Sequence, residues 1–142
     1  MTPEGRVVNQ ICAWLSWRKA LFFIHSEVGI YNAQRGVYMR RSSPYKMRGV
    51  ADILGIWAGV PLAIEVKSER GRASEYQLEF IKRWREAGGI GIIAKSIEDV
   101  ERGINEYFER RALQRMHEAQ RGADGAQTTG TSHDLGGALP KK

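Results

Sequence analysis

Asp52-Ile-Leu-Gly-Ile-Trp-Ala-Gly-Val-Pro-Leu-Ala-Ile-Glu65-Val66-Lys67 is the stretch on which the fold turns. Two apolar runs, Val50 to Trp57 and Leu62 to Lys67, flank Ala58-Gly59 and Pro61. Apolar runs rich in Val, Ile and Trp, split by Gly and Pro, predict two antiparallel strands joined by a short turn, with Pro61 as part of the turn. A hairpin brings its open ends together, so Asp52 near the start of the first strand meets Glu65 and Lys67 near the end of the second. Side chains alternate along a strand, which puts Glu65 and Lys67 on one face and Ile64 and Val66 on the other. Two carboxylates and an ammonium therefore converge among residues of buried character. Ionised groups in such a place need a partner or a metal. Two close carboxylates also drive one pKa upward unless a cation lies between them. A hard divalent ion with oxygen ligands answers both demands, and Mg²⁺ suits one or two carboxylates with waters and phosphate oxygens. Lys67 is then placed to hold or help deprotonate an attacking water, or to stabilise charge on a phosphate.

Asp52 followed by Glu65-Val66-Lys67 resembles the signature of the PD-(D/E)XK nucleases. The wider string Arg48-Gly-Val-Ala-Asp52, then Ala63-Ile-Glu65-Val-Lys67-Ser-Glu-Arg-Gly-Arg-Ala-Ser-Glu-Tyr-Gln77, is similar to the VRR-NUC branch of that superfamily, over roughly residues 4 to 100. That branch shows Gly-x-x-Asp, Glu-Val-Lys, a Gly-containing loop, Ser-x-x-Gln and a helix ending in Gly-Gly. Ala51 departs from it, since the superfamily name puts Pro there; that Pro ligates nothing, so the chemistry is untouched. The resemblance implies an α/β, restriction-endonuclease-like core: a small mixed β-sheet flanked by helices, spanning residues 1–112. It implies that Asp52 and Glu65 ligate Mg²⁺ or Mn²⁺, that the Val66 carbonyl completes the shell, and that Glu4 is a further ligand, direct or through water. Lys67 and Gln77 join Asp52 and Glu65 as catalytic residues. It implies a structure-selective endonuclease of DNA replication, repair and recombination. Such an enzyme resembles a Holliday-junction resolvase, acts on branched or duplex DNA and is commonly a homodimer. Family habit and compactness point to a bacterium or a phage-infected host cell, and to its cytoplasm.

The composition bounds these readings. A chain of 142 residues with a formal charge of +6 is expected to form one domain, with or without a tail, and to favour an anionic partner. Cys12 is the lone cysteine, which excludes an intrachain disulfide and a cysteine-based metal cluster. On an apolar helix face it reads as a small core residue. No signal peptide and no apolar run of membrane-spanning length is visible, so an intracellular protein without a membrane role is expected.

Along the chain, Thr2-Pro3-Glu4 opens a helix with an N-cap, a first-turn Pro and a first-turn acid; Val7, Val8, Ile11 and Leu15 recur at helical spacing. Glu4 favours the helix dipole on one reading and continues the inward stripe toward the metal site on the other. Ala20 to His25 predicts a strand, with His25 read as its end rather than as a site residue. Ser26 to Gly49 reads as a loop. It carries Arg35, Arg40, Arg41, Lys46 and Arg48 with Tyr31, Tyr38 and Tyr45 interleaved, and no acid occurs between Glu27 and Asp52. Cations among aromatics suit phosphate contacts and base packing; a solvated surface loop is the bland alternative. Ser74-Glu-Tyr-Gln77 fits a capping box, which alone explains Gln77, although its face also carries Ile81 and Trp84. Gly88-Gly89 stops that helix, Ile90 to Ala94 predicts a buried strand, and Ser96-Ile-Glu-Asp99 starts a last helix. Residues 113–142 are expected as a helix extension and then, from Gly122, a disordered tail. His117 and His133 have no partners at metal-ligand spacing. A second function class stays open: a non-catalytic DNA-binding or scaffold module, with the charged cluster as a structural ion pair.

Overall fold

A computed structural model describes residues 1–40 and 43–127. The elements are α1 (Pro3–Trp17), β1 (Leu21–Ile24), β2 (Ile30–Asn32), β3 (Val37–Met39), β4 (Ile53–Trp57), β5 (Val60–Val66), α2 (Glu75–Glu86), β6 (Ile90–Ala94) and α3 (Ile97–Gln127). Two compact units divide the chain, Met1–Glu106 and Tyr107–Lys142.

In the first unit a four-stranded sheet runs β1-β4-β5-β6, and β2-β3 form a separate pair. β4 lies antiparallel to both β1 and β5, while β5 and β6 are parallel. The β4–β5 connection is two residues long, and both Ala58 (φ 48°) and Gly59 (φ 79°) take the left-handed conformation. Such a turn matches the twist of the flanking strands. Pro61 is not in the turn as its sequence suggested. It lies in β5 opposite Ile56, one step from the closing Trp57–Val60 pair, where alternation of the antiparallel ladder leaves its missing N–H unneeded by β4.

The core lies on both faces of β5. Ile53, Leu62, Ile64, Val66, Ile90 and Ile92 are buried, as are Ile11 and Leu15 of α1 and Val100 and Ile104 of α3. On the other face Ala51 and Ala63 pack with Phe80 and Ile81 of α2, and Leu54, Trp84 and Ile93 close round them. Trp14 of α1 stacks on Trp57 with ring centroids 5.3 Å apart, and the Arg18 guanidinium lies 5.4 and 5.2 Å from the two rings. α2 covers the β5–β6 half of its face. Over β1 and β4 the same face carries Leu21, Phe23 and Ile56, which are exposed.

The stretch read as a loop contains the β2–β3 hairpin. Its turn is built by Asn32, whose Oδ1 accepts from the N–H groups of Gln34 and Arg35, and by Gly36 at φ 63°. Tyr31 and Tyr38 pair across it, their rings 5.1 Å apart.

In the second unit, residues 107–127 are helical. Helix therefore extends past Gly122, where the sequence suggested disorder. Each glycine weakens a helix by about 1 kcal/mol, yet Ala123, Ala126 and Gln127 beside them are good helix formers. The remainder of the expected tail, with His133, lies outside the described residues, as does Arg41. Among the described residues no helix is long and apolar enough to cross a membrane.

Candidate active site

The register of the sheet builds the site. Ile53 pairs with Ile64, so one step further Asp52 stands opposite Glu65. Opposite residues share a face, and Lys67, two residues beyond Glu65, shares it too. Ile24 pairs with Ile53 on the other side, and the His25 N–H donates to the Asp52 carbonyl at 2.8 Å. His25 and Asp52, just past the ends of β1 and β4, thus stand in line with Glu65 of β5. The expected reading of His25 as a strand end holds, and its side chain lines a cavity with Glu27, Arg40 and Lys46.

Each side chain is held. The Asp52 Oδ2 accepts from the Val66 N–H at 2.7 Å. Because N–H and C=O of one strand residue point to the same neighbour, the Val66 carbonyl points to Asp52's side as well. Glu65 is 1% exposed and Lys67 9%. The Lys67 Nζ lies 2.7 Å from Glu65 Oε1 and 4.0 Å from Glu4 Oε2. Gln77 Nε2 donates to the same Glu65 oxygen. The amide orientation is forced, because Gln77 Oε1 accepts from the Ser74 N–H at 2.8 Å while Ser74 Oγ caps the Gln77 N–H at 3.3 Å. The capping box and the site contact, which the sequence allows together, are both made, by the two ends of one amide.

Glu65 Oε2 is buried and has no hydrogen-bond partner; His25 Nε2 is in the same condition. Burial, and then the charges of Asp52 and Glu4, push the Glu65 carboxyl up to about 7 against the opposing pull of Lys67. Burial works to lower the Lys67 pKa, but the hydrogen bond and charge of Glu65, with the charges of Glu4 and Asp52, outweigh it and raise it. Burial pushes the Cys12 thiol up, which works against thiolate formation.

The donor set fits a hard divalent ion. Among the described residues no three His, Cys, Asp or Glu side chains are gathered as a metal shell. Mg²⁺ and Mn²⁺ do not need three, since one or two carboxylates with waters and carbonyl oxygens suffice. Asp52, the unpartnered Glu65 oxygen and the Val66 carbonyl could supply such a set. Glu4 stands within reach of Lys67, and its charge acts on Glu65.

The basic residues divide. Arg40, Lys46 and Arg48 line one cavity of about 780 Å³ together with Gln77. The Arg48 Nη1 donates to the Tyr76 hydroxyl at 3.0 Å. Arg35 lies apart, in the β2–β3 turn. Sequence reasoning missed Glu27, which lines the same cavity. Its signal was present: it is the one acid between Glu4 and Asp52.

Gly49 sets the cavity against the site. It sits at φ 68°, and a Cβ there would lie 2.3 Å from the Tyr76 carbonyl carbon and 2.5 Å from the Gln77 N. Gly49→Ala is therefore expected to destabilise the fold by about 2 kcal/mol or more, combining backbone strain with a clash. It should also displace Gln77 from Glu65. Urea melts measure the first effect, and a wild-type melting profile would contradict it.

No protein-family model matches the chain, and no curated protein matches it. Among solved structures, a chain described as a VRR_NUC domain aligns with a TM-score of 0.50 at 24% identity, covering 75% of this chain and 99% of that one. At that identity the likeness is one of fold. The chain is a mixed α/β domain with a small mixed sheet flanked by helices, consistent with the VRR_NUC fold.

Proposed function

We propose that the protein is a metal-dependent nuclease that hydrolyses DNA phosphodiester bonds at the Asp52–Glu65–Lys67 row. The observation that carries this reading is two carboxylates brought together where β4 begins and β5 ends, Asp52 bound to the Val66 N–H and Glu65 with a buried oxygen that bonds to nothing. The likeness to the VRR_NUC domain supports it from the side of the fold. Asp52, Glu65 and the Val66 carbonyl hold Mg²⁺ or Mn²⁺, with Glu4 as an outer contact through Lys67. The ion, when bound, lowers the pKa of the attacking water and offsets charge growing on the phosphate. Lys67 positions that water and balances the charge of the entering hydroxide. Gln77 fixes the Glu65 rotamer and so aims its free oxygen. Arg40, Lys46 and Arg48 bind the DNA backbone.

The finer reading is a cytoplasmic, structure-selective endonuclease acting on branched DNA as a homodimer, in the manner of a junction resolvase. The apolar patch of Leu21, Phe23 and Ile56 beside the open half of the site supports a self-contact there, and a two-fold dimer suits a four-way junction. The test is cleavage of labelled duplex, flap and four-way substrates in Mg²⁺, Mn²⁺ and EDTA, with size-exclusion chromatography alongside. A monomer that prefers flaps rejects the junction reading, and cleavage undiminished in EDTA rejects the metal. Lys67→Met is expected to keep metal binding, read by calorimetry, while cleavage falls by about 10²-fold or more.

The charged cluster as a mere ion pair in a binding module is the competing reading. An ion pair with Lys67 accounts for Glu65 Oε1 alone and leaves the buried Oε2 without a partner, which favours the metal reading.

A further inference from the structure

The cavity beside Gln77 holds three cations, Arg40, Lys46 and Arg48, and one acid, Glu27. A second cavity of about 340 Å³ shares Glu27, Arg40 and Lys46 and reaches His25. The first cavity thus reaches Gln77, which bonds Glu65, and the second reaches His25, whose N–H bonds the Asp52 carbonyl. Glu27 stands between two of the cations with one oxygen toward each: Oε2 is 3.8 Å from Arg40 Nη1, and Oε1 is 3.9 Å from Lys46 Nζ. Those distances are at the outer limit of ion pairing, on side chains that are partly or largely exposed, so the contacts are weak and readily exchanged. Arg48 is held differently, by the Tyr76 hydroxyl and by the Tyr76 ring 5.2 Å away.

A surface built only to attract nucleic acid has no use for a carboxylate at its centre, since that charge repels phosphate. A carboxylate bridging an arginine and a lysine does, however, occupy the place a phosphate takes, with the same two-oxygen geometry. We infer that Glu27 is an internal stand-in for a backbone phosphate. It holds Arg40 and Lys46 while the cavity is empty and yields them to a phosphate that flanks the scissile one when a strand enters. The inference deepens the nuclease reading by assigning the cavity to a nucleic-acid backbone next to the reacting bond.

The exchange makes binding selective. A strand that places a phosphate between Arg40 and Lys46 replaces Glu27 at each cation. A strand that touches the surface elsewhere meets the cations already occupied and gains little. Glu27 thus lowers the affinity for loosely placed DNA.

Fluorescence anisotropy with a labelled DNA duplex in EDTA tests this without turnover. Glu27→Gln is expected to tighten binding about threefold to tenfold at 0.1 M salt and to steepen the slope of log K against log salt by about one, as one more cation becomes available to phosphate. Glu101→Gln, an exposed acid on α3 that removes the same charge, should move both quantities far less. In an Arg40→Gln/Lys46→Gln background the gain from Glu27→Gln should vanish, since coupled residues are not additive. An unchanged or weaker affinity for Glu27→Gln overturns the inference. So does a gain of equal size in both backgrounds, which would mean a general field rather than exchange at these two cations. Thermal melts of each variant check that the fold is retained. The two readings fail separately: coupling in EDTA with no cleavage in Mg²⁺ sinks only the nuclease, and cleavage without coupling sinks only the stand-in.

Discussion

Asp52→Ala and Glu65→Ala are each expected to lower DNA cleavage in Mg²⁺ by about 10³-fold or more. The size follows from the role: a site that loses its divalent ion loses several kcal/mol of transition-state stabilisation, and each 1.36 kcal/mol is about tenfold in rate. The two variants should differ in stability. Asp52→Ala strips the Val66 N–H of its acceptor, and an unsatisfied donor costs about 1–3 kcal/mol. Glu65→Ala removes a carboxylate whose ionisation the fold resists but leaves Lys67 and Gln77 without their shared partner. Affinity for DNA should change little in either, because Arg40, Lys46 and Arg48 are untouched. Single-turnover cleavage assays with circular dichroism as a fold check measure these effects. Wild-type cleavage by either folded variant would remove the basis of the proposed mechanism.

Metal-free protein should lose stability as pH rises from about 4.5 to about 7. The Glu65 carboxyl is held near 7 in the folded chain against an ordinary value of 4.5. Between those values the folded state binds more protons than the unfolded state. Stability then falls with pH at up to 1.36 kcal/mol per unit, and about 3 kcal/mol is lost across the window. The contribution is fully present below 4.5 and gone above 7. Lys67 is also raised, but from a starting value far above this window, so it adds no slope there. Urea melts in EDTA between pH 5 and 8 measure the effect, and Glu65→Gln should flatten the curve. Mg²⁺ should restore the lost stability at high pH by binding the folded state alone. A flat wild-type profile in EDTA would mean that Glu65 is already ionised at pH 5 in the folded protein.

The site was legible because one alternation rule governs both strand packing and side-chain direction. Once Val50 to Trp57 and Leu62 to Lys67 are read as a hairpin, Asp52 and Glu65 are expected on one face, and the observed Ile53–Ile64 pair brings the two residues just beyond it side by side. Gln77 was legible for a similar reason, since a capping box fixes where its amide sits. The β2–β3 hairpin was not. Its strands are three residues long and mostly exposed, so no apolar alternation marks them, and Asn32 with Gly36 was the only local signal. Pro61 was misplaced because the chain needs its N–H only if a strand lies on that side. Which neighbour stands there is a property of the sheet order, not of the hairpin. His25 was read correctly as a strand end; its backbone bond to Asp52 passes through β1–β4 pairing, 27 residues apart in the chain, and so was not visible in the sequence.

The stacked indoles of Trp14 and Trp57 give the molecule an intrinsic optical gauge. Two coupled chromophores with planes 6° apart are a ready source of near-ultraviolet circular dichroism, which disappears when tertiary packing loosens. Trp14 rides on the same helix as Glu4, so that signal reports whether the helix bearing this acid is seated. Following it while titrating Mg²⁺ into the protein would reveal, without any label, whether filling the acidic row draws that helix in or leaves it where it was.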